Sequence, residues 1–309
     1  MTSDWANAVQ GELVNVIQAA GLTLDKTSQT QLLTAMQTLG RIKLNGTLNL
    51  YVSPSGNDTA NTGLSADSPF LTMQRAWTIA ITKYDLNNNS VTIHLADGTY
   101  SNPLAIWSSP MGTNGFVNLI GNTGSPQNVV LATANAFALS VETCLNVSIQ
   151  GISLGATGTI PGSGGVLAAG ILIGFGGNVT LAGPCIFNTC SSYHVWIGNS
   201  GYFAIASSYT IGGGALAHIL CGGSGAYLNM GPGPYTVTLT GTPAFSTSFI
   251  AVTQNGSGQL WSPNVTFSGS ATGYKYSVSM NGTLSTNGGG NSYLPGSING
   301  ITGSGGQIA

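Results

Sequence analysis

A five-residue pattern that returns about every thirty residues constrains this chain more than any other feature. An apolar residue, a small polar residue, another apolar residue, a free position and Gly follow one another at Val117 (VNLIG), Val147 (VSIQG), Val179 (VTLAG), Tyr209 (YTIGG), Val237 (VTLTG) and Val265 (VTFSG). Successive starts lie 30, 32, 30, 28 and 28 residues apart, and Val91 (VTIHL) stands 26 before the first. A second series runs through Ile171 (ILIG), Val195 (VWIG), Ile219 (ILCG) and Ile250 (IAVT). A fixed spacing with more than one short strand per period marks stacked units, each burying its apolar face only against its neighbours. Propeller blades have a longer period, and leucine-rich repeats a Leu-rich consensus. The expectation is an all-β, single-stranded parallel β-helix whose coils pair about 4.8 Å apart, with Val stacked on Val and Ile on Ile. Seven or eight such coils make a rod roughly 35–40 Å long.

Composition agrees with a turn-rich β chain: 46 of 309 residues are Gly, and 42% are hydrophobic. Only 5% are charged, and no Asp, Glu, Lys or Arg occurs from Thr143 to Tyr274. A net charge of −2 supplies no basic field for nucleic acid. So uncharged a surface predicts extensive contact with other protein. The longest apolar run, Val166 to Phe175, contains two glycines and is too short to cross a bilayer, and no basic-then-apolar leader is visible at the N-terminus. Cys144, Cys185, Cys190 and Cys221 lie in strand-like stretches without a zinc spacing, which predicts buried thiols and synthesis in a reducing cytoplasm.

Three helices precede the repeats. Trp5, Val9, Leu13 and Ile17 recur at helical spacing, and Gly21 ends that helix. Ser28 and Gln31 form a capping-box pattern ahead of a second helix carrying Leu32, Leu33, Met36 and Leu39. This hairpin, residues 1–43, is too small to hold a core alone and reads as an attachment or oligomerisation segment. A third helix, about 69–82, follows Ser68-Pro69 as cap and first residue. Phe70, Met73 and Trp77 line its apolar face, with Ala76 and Ala80, and it is placed to close the open end of a β-helix spanning 44–274. Residues 275–309 read as a Gly-rich tail.

The lead-in to that third helix, YVSPSGNDTANTGLSADSPFLTMQRAW (Tyr51 to Trp77), resembles the segment that opens pectin-lyase-like right-handed β-helix proteins, many of them phage tail fibres and tailspikes. AAGLTLDKTSQTQLLTAMQTL resembles a stretch near the start of phage tail-fibre proteins, and VSMNGTLSTNGGGNSYLPGSINGITGSGGQIA the ends of short phage proteins. Together these cover about 80 residues. The resemblance implies a right-handed coil and a homotrimeric virion protein of the phage tail. It also implies anchoring to other tail or baseplate proteins through the N-terminal segment, and a host cell-surface glycan as a contact. A polysaccharide depolymerase of the tailspike type and a bacterial surface adhesin are the alternatives.

Chemistry is sparse. Glycoside hydrolysis uses two carboxylates, and beyond Leu95 only Asp97 and Glu142 exist; Asp97-Gly98 is also a turn signal. The central repeats supply neither calcium ligands nor a lyase base, so catalysis is not expected. His94, His194 and His218 form no triad pattern and read as hydrogen-bonded structural residues. No phosphate loop, cofactor motif or metal set is present. Asp58 and Asp67 read as turn and capping residues, and the sequons at Asn146, Asn178 and Asn264 as corner chemistry. Trp107, Tyr193, Trp196, Tyr202 and Trp261, together with Tyr227 and Tyr235, are the aromatic candidates for stacking on sugar rings.

Overall fold

The computed structural model describes residues 2–262 and 264–309. Helix α1 (Ser3–Ala19) and helix α2 (Gln31–Leu39) form the N-terminal hairpin, and α3 (Met73–Lys83) precedes the repeats. The remainder is three sheets of eleven, seven and eight strands, in which every strand pairing is parallel. From Tyr84 to Ser285 the chain visits the first, second and third sheet in rotation and pairs each strand with the one a circuit later; the last two strands return to the third and first sheets without another in the second. A single path therefore winds through stacked coils. Apolar side chains of all three sheets point into one continuous core.

The second series of the sequence pattern lies entirely in the third sheet, in register: Ile171 beside Val195, Val195 beside Ile219, and Ile219 beside Ile250. The first series divides. Val91, Val117, Val147 and Val179 form one inward column of the first sheet, which continues through Phe203, Leu228 and Gly258. Tyr209 and Val237 stand together in the second sheet, and Val265 pairs there with Tyr235, two residues off the expected register. Shorter circuits after Val179 shift the motif from one face of the coil to the next. The pattern encodes an in-out-in strand ending in a corner, which any face can use. At one such corner a Cβ on Gly121 would lie 2.2 Å from the Gly151 carbonyl oxygen of the next coil, so this approach requires glycine.

One excursion leaves the coil. Thr159 and Leu167 form an antiparallel bridge, and the Ile160 N–H donates to the Val166 carbonyl at 2.8 Å across the neck. Between them the chain turns in solvent with open space around Gly162 and Gly164.

Residues 275–309 are not a tail apart from the coil. Tyr276–Val278 and Ile301–Thr302 extend the third sheet, and Thr283–Ser285 and Gln307–Ile308 the first. Glycines there serve as corners between short strands.

The third helix begins later than the Ser68-Pro69 signal predicts. Phe70 first forms a parallel bridge with Val52, and Thr72 then caps the helix by accepting from the Arg75 N–H at 3.1 Å. Asp58 holds the start: one carboxylate oxygen accepts from the Leu71 and Thr72 N–H groups, at 2.8 and 3.0 Å, and the other from the Thr72 hydroxyl at 2.7 Å. Asn57 supplies a turn to Thr59 and Ala60, and Asn61 donates to the Pro69 carbonyl at 2.7 Å. Gly63, at φ +69°, leaves room for the Phe70 ring, which a Cβ would meet at 2.0 Å. The lead-in is thus a clasp for one helix.

That helix covers the coil's first end. Phe70, Met73, Ala76, Trp77 and Ala80 are all buried, and the Gln74 side-chain oxygen accepts from the Ala105 N–H at 2.8 Å on the first strand of the third sheet. An otherwise open edge group is satisfied there. Arg41 donates to the Ile81 and Tyr84 carbonyls at the far end of α3, where a cation suits the helix dipole.

In the hairpin, Gly21 (φ +76°) closes α1, and the Leu22 N–H reaches back to the Ile17 carbonyl at 3.2 Å. The capping box does not form. Thr30 stands before α2, and Gln31 bonds the inter-helix loop, donating to the Thr23 carbonyl at 2.6 Å and accepting from the Asp25 N–H at 3.1 Å.

Candidate functional site

The aromatic candidates do not converge on one site. Parallel register aligns outward positions into columns, so each face of the coil acquires its own chemistry. On the first sheet, Asn146, Asn178, Tyr202, Tyr227 and Ser257 stand in one outward column. The Asn178 amide donates to the Asn146 carbonyl oxygen at 2.8 Å, a rung of an amide ladder and not corner chemistry. Tyr202 and Tyr227 stack with centroids 5.7 Å apart and planes 18° from parallel. The neighbouring column anchors both hydroxyls: Asn229 donates to Tyr202 and Tyr227 donates to Gln259, each at 2.8 Å. A shallow hollow of 210 Å³ continues below them, lined by Tyr227, Gln259, Thr283 and Gln307. Stacked rings flanked by amides and hydroxyls suit a neutral, polyhydroxylated ligand.

The third sheet is different. Its outward column holds Leu172, Trp196, Leu220 and Ala251 in register. Tyr193 meets Trp196 edge-on at 5.5 Å and Phe137 meets it at 6.3 Å. This is an apolar stripe, chemically suited to protein contact. Tyr193 and Trp196 therefore belong to a different face from Tyr202. Trp107 lies at the corner between the third and first sheets, 65% exposed, and donates to the Ser140 hydroxyl at 2.9 Å. Trp261 is half-buried against the core, and Tyr235 is buried.

The two carboxylates also stand apart. Asp97 occupies the corner from the first to the second sheet, where the Asn122 amide donates to its two oxygens at 3.0 and 3.2 Å and Asn128 to one of them at 3.1 Å. It ties successive coils. Glu142 follows Val141 at the corner from the third to the first sheet, one coil beyond Trp107. The chain brings together no acid–base pair from them. Among the described residues, no three His, Cys, Asp or Glu side chains gather to hold a metal.

Three thiols are buried, and burial pushes Cys185 and Cys221 up to about 12 and Cys190 to about 11; Cys144 is exposed, contrary to expectation, because it lies in a corner. His94 stacks on Tyr51 at 4.8 Å and bonds the Asn49 side-chain oxygen through Nε2 at 3.0 Å, and burial lowers its pKa. His194 and His218 lie inside the core.

The hairpin's apolar face is uncovered. Trp5 is 53% exposed, Leu33 58% and Met36 60%, and Val9, Leu13 and Leu32 are exposed with them; Ile17 is buried, with Ala35, within the hairpin. Gln259, Asn229 and the pairing of Tyr202 with Tyr227 were not singled out from the sequence. Their signal is register, which circuits of unequal length conceal. No family model, curated protein or solved structure matches the chain.

No helix among the described residues is long and apolar enough to cross a membrane.

Proposed function

We propose that the chain is a structural component of a phage-type tail fibre or tailspike. Its shaft is a right-handed, pectin-lyase-like parallel β-helix, and the assembled particle is a homotrimer belonging to the virion. The N-terminal hairpin joins the copies to one another and attaches them to another tail or baseplate protein, and the shaft presents a face to glycans of the host surface. One observation carries this reading: a helical hairpin with Trp5, Leu13, Leu33 and Met36 uncovered precedes a shaft whose first end is already closed by α3. The hairpin is not needed to cap the coil, so its apolar face serves a partner. The stacked tyrosines and amides of the first sheet support the glycan contact.

Sedimentation of the full chain tests the assembly. A trimer that falls to monomer on Leu13→Glu with Leu33→Glu is expected; a wild-type monomer at micromolar concentration would overturn it. Binding to a bacterial glycan panel, weakened by Tyr227→Ala, is the expected sign of surface contact. Release of oligosaccharide that disappears on Glu142→Gln would favour the depolymerase alternative.

A further inference from the structure

The middle of the shaft holds a polar chain where only apolar side chains are expected. Register sets His194 beside His218 in consecutive coils of the third sheet, and His218 beside Phe249 in the next. Both histidines are buried, at 0% and 1% exposure. Their Nδ1 atoms are 2.9 Å apart, and the Tyr209 hydroxyl lies 2.8 Å from His218 Nε2. Phe187 stacks on His194 at 5.6 Å and meets His218 edge-on at 5.3 Å, while Phe245 and Phe249 close the other sides.

A hydrogen bond between two Nδ1 atoms requires that one carry the proton and the other lack it. The Asn188 and Gly214 backbone favours a proton on His194, and its Nε2, buried with no hydrogen-bond partner, is the ring atom left to carry it. Proton placement then runs one way. Tyr209 O–H donates to His218 Nε2, His218 Nδ1–H donates to His194 Nδ1, and the proton on His194 Nε2 is left without an acceptor. An added proton on His194 Nδ1 would face the His218 Nδ1–H. The chain must then break or reverse, leaving a cation among phenyl rings.

From Thr143 to Tyr274 the chain supplies no carboxylate to pair with that cation, and no Lys or Arg. Of the other titratable groups, Tyr235 and Tyr293 lie near Tyr209 and the Cys190 thiol lies near the His194 backbone. Lys275 precedes Tyr276, which pairs with Ile250 one coil further on. We propose that Tyr209, His218 and His194 form an acid-sensitive lock: neutral, they join adjacent coils, and protonated, they release the coils between about residues 187 and 250.

Burial lowers His194 from 6.5 to about 3, and burial together with His194 lowers His218 well below its ordinary value. The sign follows from linkage. A histidine depressed in the folded state contributes its full stability above pH 6.5 and loses it as pH falls toward 3.

Hydrogen exchange of the full chain from pH 7 to 4, corrected for intrinsic rates, tests the lock. Opening of segments within 187–250 is expected to increase about tenfold per pH unit for each histidine involved. Segments within 84–131, which lack buried histidine pairs, are expected to respond less. A His194→Phe, His218→Phe double variant should remove the dependence in 187–250. Should that variant not fold, imidazole 15N shifts of the wild type decide: Nδ1–H on His218 and Nε2–H on His194 at pH 7 support the lock. Unchanged protection of 187–250 down to pH 4, two identical tautomers, or imidazoles titrating near 6.5 would overturn it.

Discussion

The N-terminal hairpin and α3 have similar amphipathic sequences and opposite fates. In α3 the apolar face meets the end of the coil, and Met73, Ala76, Trp77 and Ala80 are buried. In α1 and α2 only Ile17 and Ala35 are buried, while Trp5, Leu33, Met36 and Leu39 face solvent. What separates them is the lead-in. Asp58, Thr72, Gly63 and Phe70 fix where α3 starts and how it sits, whereas Gln31 and Asp25 of the hairpin tie only its own loop. An amphipathic pattern says that a helix needs a partner; the clasp says which partner.

The comparison breaks most readily at Trp77. Trp77→Ala should cost about 3–5 kcal/mol in denaturant unfolding, since a large side chain is removed from a closed site. Trp77→Phe should cost much less, because the indole N–H is buried without a partner and its loss offsets part of the lost packing. Next in size is the clasp: Thr72→Ala should lower stability by about 1 kcal/mol, shifting the midpoint without changing the slope. Smallest is the hairpin, where Leu33→Ala should stay within about 0.5 kcal/mol while weakening association measured by sedimentation. If Leu33→Ala and Trp77→Ala destabilise the chain equally, the distinction between the helices fails.

The same contrast explains what could be read in advance. The in-register column of Ile171, Val195, Ile219 and Ile250 was legible because the third sheet keeps one motif through successive coils. The column holding Val91 and Val117 was legible only to Val179, because Phe203, Leu228 and Gly258 fill the same inward place without the motif. The start of α3 was misplaced by four residues: Phe70 was expected in the helix, and its bridge to Val52 is a tertiary choice that a capping rule does not see. The pairing of Tyr202 with Tyr227 and of His194 with His218 depends on the lengths of whole circuits. Those lengths are set by corners, where short polar residues carry little pattern.

The bridge between Thr159 and Leu167 gives the stacked coils a port. The two ends of the excursion are fixed by the bridge and by the Ile160 N–H on the Val166 carbonyl, whatever lies between them. Loop-closure cost grows only with the logarithm of length, so a longer segment grafted between Gly162 and Gly165 should leave the coils beneath undisturbed. A foreign epitope or a second binding module carried there would project sideways from the stacked coils.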